Sequence, residues 1–502
     1  MKVLSIILAT LIASVSFASQ EYLVKMKDQN ALRSFGGNFA ESTGSAVKDL
    51  HFNNWVKVSL DQDQVEALRN SPEVLAVEPN MRLSINSTAR SYDPVLLQMA
   101  AEQLQYEASN YGPEATDNPD FPGVPAASAG ADPMFDQMWG MKDIGVEAAW
   151  EQSGTRGNPE IIVAVIDTGV DYTHEDLLPN MWRNPGESGQ DADGNDLATN
   201  GIDDDGNGYI DDHMGWDFAK DDNKPYDLAK KGLALLFGGN PGHGTHCAGN
   251  VAARGDNGKG IAGVAPDVKI MALRFLGEDG SGTLEGAIGA IKYGVDNGAR
   301  ILNNSWGSEG DGGDPAASQA LQEAIQYAQD NDVLFVAAAG NGHQGVGYDN
   351  DTDKDPGYPA SYPQDVIVSV AALDVENALG SFSNWGANTV DIGAPGVKSF
   401  STVPEDDYQD TVLNLPGVIV ATWDGTSMAA PHVAGAAALY LSAYPNATYD
   451  QVKSALIESA IQIPALNGKS VSNGKLNVEA MMNIVPPTVT PAPPIPVPEP
   501  AA

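Results

Sequence analysis

The chain is short of cysteine and of positive charge. Its 502 residues include one cysteine, Cys247, so no disulfide can form within a single chain. Stability outside a cell would have to come from packing or from bound ions. Lysine and arginine total 27 against 67 aspartates and glutamates, a formal net charge of −40. Such a balance disfavours nucleic acid and anionic membranes as partners, and it favours solubility and cation binding, with simple solvation as the bland reading of most of it. Beyond the N-terminus there is no apolar run approaching the ~20 residues a spanning helix needs, so no membrane partner is expected. Glycine and proline are plentiful, at 53 and 32, and imply many tight turns. Hydrophobic residues, at 42%, can fill a sizeable core, and the length argues for several parts.

Residues 1–18 have the make-up of a secretory signal. Lys2 precedes an apolar stretch over 3–15, and Ser16-Phe17-Ala18 is a small-x-small cleavage pattern. A secreted or extracytoplasmic monomer is expected, with an uncleaved N-terminal anchor as the alternative. Residues 19–85 read as a separate unit. Alternation at 21–27 and 55–60, a β-rich run at 74–77 and a helical pattern at 62–70 behind Asp61 predict a small α+β module. Its size is near the lower limit for independent stability. Residues 86–130 turn rich in Asn, Ser, Ala, Pro and Gly and read as a linker with one helix-like patch at 96–106.

From 131 to 485 the pattern is that of a larger domain, with Trp139, Ile144 and Trp150 as early packing residues. Apolar strands at 161–166, 268–274, 300–303, 333–338 and 366–371 alternate with helical stretches that include 283–297 and 316–330. Continuous apolar strands separated by helices predict an α/β fold, a doubly wound parallel sheet covered on both faces. Ligands in such sheets bind at the carboxyl ends of the strands. Residues 486–502 are proline-rich and should form an extended spacer without a core.

Unusual polar residues fall at those strand and helix ends. Asp167 closes one strand before Thr168-Gly169. His243 lies in Gly242-His243-Gly244-Thr245-His246-Cys247 at the start of a small-residue helix. Asn341 follows another strand in Ala339-Gly340-Asn341-Gly342. Ser427 sits in Gly425-Thr426-Ser427-Met428-Ala429-Ala430-Pro431 before an alanine-rich run. Each has a bland reading: a turn aspartate, a loop histidine, a turn asparagine, a helix-capping serine. His243 and His246 could pair on a metal, but a third ligand is not evident. Together, an acid, an imidazole, an amide donor and a hydroxyl at a helix start are the parts of nucleophilic acyl transfer. Ala429 replaces the last glycine of Gly-x-Ser-x-Gly, which argues against an α/β-hydrolase elbow.

The order Asp, His, Ser and five motifs resemble the subtilisin-like serine peptidases. The motifs are Val165-Ile166-Asp167-Thr168-Gly169, His243-Gly244-Thr245-His246, Asn303-Asn304-Ser305-Trp306-Gly307, Ala338-Ala339-Gly340-Asn341 and Gly425-Thr426-Ser427-Met428-Ala429-Ala430-Pro431-His432. The resemblance spans roughly 132–485. It implies a subtilisin-like fold and a secreted endopeptidase that acts on proteins or peptides. Ser427 would be the nucleophile, His243 the general base and acid, and Asp167 the group that orients it. Asn341 and the Ser427 N–H would receive the oxyanion. Residues 19–85 resemble the family's inhibitory propeptide, which makes the chain a self-processing zymogen and its own inhibitor. A catalytically silent scaffold used for binding and a non-peptidase acyl hydrolase are the other readings.

The same likeness implies a substrate cleft. Ser305, Trp306 and Gly307 would form one wall, Ala338, Ala339 and Gly340 the other, and Gly357 the base. None carries charge, so a roomy apolar pocket is expected, with the bulk of Trp306 narrowing it. Cys247 is expected to be a buried packing residue. Between the Asp and His motifs, Asp203, Asp205, Asn207, Gly208 and Asp211 match the first positions of a calcium loop, but Met214 stands where the closing glutamate belongs, with Asp212 as a substitute. Asp191, Asp193 and Asn195 repeat the pattern weakly. Asp176 matches a structural-calcium aspartate of the family, with Asp256 or Asn257 near by. Structural calcium is therefore expected, and no cofactor for catalysis.

Overall fold

The structure is a computed structural model, and it describes residues 19–43, 46–85, 131–308, 318–343, 345–415 and 418–487. The signal-like stretch 1–18, the linker with its helix-like patch, and the tail from 488 lie outside the described residues. Among the described residues no helix is long and apolar enough to cross a membrane.

The N-terminal module contains β1 (Gln20–Met26), α1 (Gln29–Thr43), β2 (Val47–Asp49), β3 (Trp55–Leu60), α2 (Gln62–Arg69), β4 (Val74–Pro79) and β5 (Arg82–Ser84). The first four strands make an antiparallel sheet in the order β2-β3-β1-β4. Helix α2 starts at a capping box, in which Asp61 accepts from the Gln64 N–H and the Gln64 side chain accepts from the Asp61 N–H. Strand alternation divides the sheet between two cores. Val24, Met26, Val56 and Val58 pack with Phe35, Phe39 and Leu68 inside the module, while Leu23 and Trp55 join an apolar cluster of the larger domain. Helix α1 was not foreseen. Ala31, Leu32, Phe35 and Phe39 have helical spacing, but Gly36 and Gly37 interrupt the pattern, and glycine disfavours helix interiors.

The larger domain opens with α3 (Trp139–Asp143) and α4 (Val146–Ser153). Ile144 and Trp150 are buried there and Trp139 is half-buried. The chain continues through β6 (Ile162–Asp167), β7 (Gly215–Asp217), α5 (His243–Ala252), β8 (Lys269–Arg274), β9 (Ser281–Thr283), α6 (Leu284–Asp296), β10 (Ile301–Asn304), α7 (Gln319–Asp330), β11 (Leu334–Ala338), β12 (Ile367–Leu373) and β13 (Ile392–Pro395). Two hairpins follow, β14 (Ser401–Val403) with β15 (Asp407–Gln409) and β16 (Thr411–Leu415) with β17 (Val418–Thr422). Helix α8 (Thr426–Ala443), α9 (Tyr449–Glu458), β18 (Ile461–Gln462), β19 (Gly474–Lys475) and α10 (Val478–Met481) complete it.

Nine strands form one sheet in the order β18-β19-β13-β12-β11-β10-β6-β8-β7. All its pairs are parallel except β18 with β19. Alternate residues of β6 supply opposite faces. Val163 and Val165 pack with α5 and α8, while Ala164 and Ile166 pack with α6 and α7. Burial on both faces explains why these strands read as unbroken apolar runs. Helix α8 is buried from Thr426 to Leu441, so its sequence is apolar all round and shows no stripe. The five expected strands fall within two residues of their places. Strand β13 was missed because Ile-Gly-Ala-Pro is short and carries two breakers.

Candidate active site

The site gathers at the carboxyl ends of β6, β10 and β11 and the N-termini of α5 and α8. Asp167 ends β6 and His243 begins α5. His243 Nδ1 lies 2.8 Å from Asp167 Oδ1, which also accepts the Thr168 N–H at 2.7 Å. Asp167 is fully buried and His243 nearly so. Burial works against an imidazolium, but the Asp167 carboxylate overcomes it and holds His243 well above its ordinary pKa. Close approach depends on Gly244, where a Cβ would stand 2.1 Å from the Gly169 carbonyl oxygen and 3.1 Å from Asp167 Cβ.

A second set of polar groups, not singled out by sequence reasoning, fixes this pair. Asp227 is wholly buried and accepts from Thr168 Oγ1, Asn240 Nδ2, Thr245 N and Thr245 Oγ1 at 2.9, 2.6, 2.9 and 2.6 Å. Thr168 Oγ1 accepts the Gly244 N–H at 2.9 Å, and Asn240 Oδ1 caps the start of α5 by accepting from Gly242 N and His243 N. Asp227 thus ties the aspartate strand to the histidine helix. Its signal in the sequence, an Asp-Leu pair in a loop, is too common to find it.

Ser427 is the second residue of α8. Gly425 occupies the cap position and makes no side-chain cap bond, so Ser427 is not an N-cap. Its Oγ donates to the Ser305 carbonyl at 2.8 Å. The reason this carbonyl and hydroxyl meet lies one turn on. Pro431 has no N–H, so the Ser427 carbonyl loses its helical donor. Ser305 Oγ takes that place at 2.9 Å, and the Cys247 thiol lies at 3.5 Å. Cys247 is fully buried, and burial raises its pKa, as expected of a packing thiol. His246 takes no part in a metal pair. Its Nε2 meets the Ser399 carbonyl at 3.1 Å, its ring stacks on Trp423 at 4.1 Å, and burial pushes its pKa down to about 3.

Asn341 Oδ1 accepts from Thr426 N and Thr426 Oγ1 at 2.9 and 3.0 Å, which sets the direction of its amide. The Nδ2 end faces Gly425, whose Cβ, if present, would lie 3.4 Å away. An amide N–H₂ beside the start of α8 supplements the unpaired N–H groups and positive dipole of that helix end.

The expected cleft residues come together with one exception. Gly357 lies against Ala339, where a Cβ would be 2.6 Å from the Ala339 oxygen. Asn350 bridges them by donating to Ala339 O at 2.9 Å and accepting from Gly357 N at 3.1 Å. Ala338 ends β11 and Gly340 follows with φ +112°. Ser305 and Gly307 lead to Ser308, which bridges Tyr358. Trp306 departs from expectation. Its ring is fully buried, edge-on to Phe275 at 5.0 Å, in the apolar cluster that also holds Leu83 and Ile85. Its bulk fills the core beneath the cleft.

Strand β5 runs antiparallel to β9, and Ser84 exchanges two backbone hydrogen bonds with Gly307, both 3.0 Å. Ile85 N donates to Gly280 O at 2.9 Å. The end of the N-terminal module therefore lies as a middle strand between β9 and the segment that leads back to Ser305.

Among the described residues, two groups of three or more acidic, histidine or cysteine side chains converge closely enough to share an ion. One is Asp167, His243 and Cys247. The other is Glu187, Asp203 and Asp205 in the acidic insertion that lies between β6 and β7. Asn207 hydrogen-bonds Asp205 and Asp212 in this loop. Asp211 does not join it: both its oxygens accept the Gly201 N–H, at 3.0 and 3.1 Å, with φ +53°. Asp176 is buried, and donors fill it: Asn257 Nδ2 at 2.7 Å, Ile261 N at 2.8 Å and Tyr408 OH at 3.0 Å.

A buried carboxylate–imidazole pair next to a serine at a helix start, on a doubly wound parallel sheet, defines the serine endopeptidases of the subtilisin kind. Residues 158–481 match the model of the subtilase family, and the chain belongs to that family. Fervidolysin from Fervidobacterium pennivorans is 32% identical over 422 residues, which cover 81% of this chain and 49% of the relative. The thermophilic serine proteinase of Bacillus sp. (strain AK1) is 30% identical over 469 residues, covering 92% and 87%. The crystal structure of fervidolysin, described as a keratinolytic enzyme related to subtilisin, superposes with a TM-score of 0.62 at 26% identity, over 95% of this chain and 63% of that one. The chain thus spans about half the length of fervidolysin and most of the Bacillus proteinase.

Proposed function

We propose that the protein is a secreted serine endopeptidase, made as a self-processing zymogen, that cuts protein chains through Asp167, His243 and Ser427. The observation that carries this reading is the 2.8 Å Asp167–His243 bond beside the Ser427 helix start. In the reaction Ser427 Oγ turns from the Ser305 carbonyl toward His243 Nε2 and gives up its proton there as it attacks the peptide carbon. Asp167 keeps the Nδ1 proton in place and stabilises the imidazolium. Asn341 Nδ2 and the Ser427 N–H hold the oxyanion. His243 then protonates the leaving amine, and water, activated by the same imidazole, releases the acyl group. The cleft of Ser305, Gly307, Ala338, Ala339, Gly340 and Gly357 carries no charge, which favours apolar side chains before the cut. A peptide library cleaved best after Lys or Arg would contradict that preference.

Subtilases commonly bind structural calcium, and the acidic insertion around Asp203, Asp205 and Asn207 is the proposed place here. Residues 19–85 act as the inhibitory propeptide, with β5 lying where substrate would pair. The register of β5 directs the first cut. In antiparallel pairing each step forward from Ser84 matches a step back from Gly307. Ser305, which holds the Ser427 hydroxyl, lies two residues before Gly307, so the cut is sought two residues beyond Ser84. The proposed cut is the Asn86–Ser87 bond. Asn86 is a poor occupant of an apolar pocket, but docking of its own module substitutes for affinity, since an intramolecular reaction needs little. A fluorophosphonate should label wild-type protein and leave Ser427→Ala unlabelled. The processed wild-type chain should begin at Ser87, while Ser427→Ala stays uncut. Absence of labelling after propeptide removal would favour the silent scaffold.

A further inference from the structure

Glu187 lies outside the loop that resembles a calcium site, yet it is the most unusual side chain near it. It is fully buried, and its Oε1 accepts the Asp204 N–H at 2.7 Å. Its Oε2 is buried with no hydrogen-bond partner. An uncompensated buried carboxylate oxygen is costly, and a native structure keeps one where something binds it. Glu187 is also within ligand-sharing distance of Asp203 and Asp205: one carboxylate oxygen from each of the three lies within 4.8 Å of the other two.

The neighbours are arranged to keep these oxygens together. Asp203 is oriented by Gly206 N at 2.7 Å, Asn207 N at 3.1 Å and Gly208 N at 2.9 Å. Asp205 is held by Asn184 Nδ2 at 2.9 Å, and Asn184 also donates to Asp212 at 2.7 Å. Gly186 makes room for this. A Cβ there would lie 2.4 Å from Asp205 Cβ and 2.6 Å from its Oδ2. Asp205 is exposed and Asp203 half-exposed, so an ion can enter from solvent.

We propose that Glu187 is the closing carboxylate of a calcium site that it shares with Asp203 and Asp205. In a regular loop of this pattern, a bidentate glutamate at position 12, eleven residues after the first aspartate, completes the oxygen shell. Here Met214 holds that position and is fully buried in apolar surroundings. The carboxylate comes instead from a residue that precedes the loop, so the site joins two segments of the insertion. All-oxygen, carboxylate-rich ligation suits calcium over the nitrogen- and sulfur-seeking metals. This inference rests on the reading that the insertion binds calcium.

The test uses the full chain carrying Ser427→Ala, so that self-digestion does not intervene, and adds Glu187→Gln, Asp203→Asn or Asp211→Asn. Calcium titration calorimetry and the melting temperature in calcium and in chelator are the readouts. Glu187→Gln and Asp203→Asn should each remove one calcium from the stoichiometry or weaken it at least tenfold, and Asp211→Asn should not. In chelator, Glu187→Gln should melt no lower than its parent, because the neutral amide relieves a buried charge; in calcium it should melt lower. A merely structural glutamate would lower both. If Asp203→Asn loses the ion and Glu187→Gln keeps it, the closing role is wrong and the loop still binds calcium. If neither substitution changes binding, both readings fall.

Discussion

At the residue scale, His243 sets the chemistry of the site through two opposed effects. Desolvation favours the neutral ring, and the Asp167 carboxylate at 2.8 Å favours the charged one and prevails. As the proposed general base, His243 must be neutral to take the serine proton. Activity is therefore lost as pH falls through the His243 pKa, and a raised pKa places that loss at higher pH than for an ordinary histidine. The acid limb of kcat/KM for the processed enzyme should have its midpoint above 6.5. Asp167→Asn should lower the rate by about 10⁴-fold and move the remaining limb down. A wild-type midpoint at or below 6.5 would contradict this account. The pair was legible in the sequence because an acid at a strand end and an imidazole between glycines are rare as a set. Asp227 and Glu187 were not, because their roles depend on burial, and a lone acidic residue in a loop says nothing of its surroundings.

At the element scale, the site depends on how closely α5 approaches β6 and how α8 meets β10. The first contact has room for a hydrogen and nothing larger at Gly244. Gly244→Ala should push the start of α5 away from Asp167. A shift near 1 Å in a catalytic group costs about 10²-fold in rate. The expected outcome is a drop of that size in kcat, with slower fluorophosphonate labelling and a folded protein by circular dichroism. Unchanged kcat would show that the helix can give without cost. The second contact is paid for by Pro431, which frees the Ser427 carbonyl for Ser305. That arrangement was not readable from the motif. The proline suggests a helix break in sequence, whereas α8 runs through it to Ala443. Alanine-rich burial on all sides stabilises the helix enough to absorb one missing bond. Trp306 was misplaced for a related reason. Sequence order puts it between two cleft residues, but strand alternation turns its side chain to the opposite face.

At the scale of the whole molecule, the N-terminal module docks on the N-terminal halves of α6 and α7 through charge as well as apolar packing. Glu323 of α7 receives Lys25 and the Trp55 Nε1 at 3.1 Å. Glu285 of α6 meets Lys57 at 2.6 Å and Lys48 at 3.0 Å. Glu78 caps α7, accepting from Ser318 Oγ at 3.1 Å, Gln319 N at 3.0 Å and Ala320 N at 3.2 Å. These three donors include backbone N–H groups at a helix start, where a carboxylate also gains from the dipole. Burial raises the Glu78 pKa, so part of this gain is offset by desolvation. Hydrogen bonds to a charged group contribute about 1.5–3 kcal/mol, which corresponds to roughly a tenfold to hundredfold change in affinity. The module released by the wild-type chain, purified and added back to mature enzyme, should inhibit it. The same module carrying Glu78→Ala should inhibit about tenfold to hundredfold more weakly, while Glu78→Gln, which keeps an acceptor, falls between. Equal inhibition by all three would mean that α7 is capped without help from the module and that apolar packing around Trp55 and Leu83 alone holds it in the cleft.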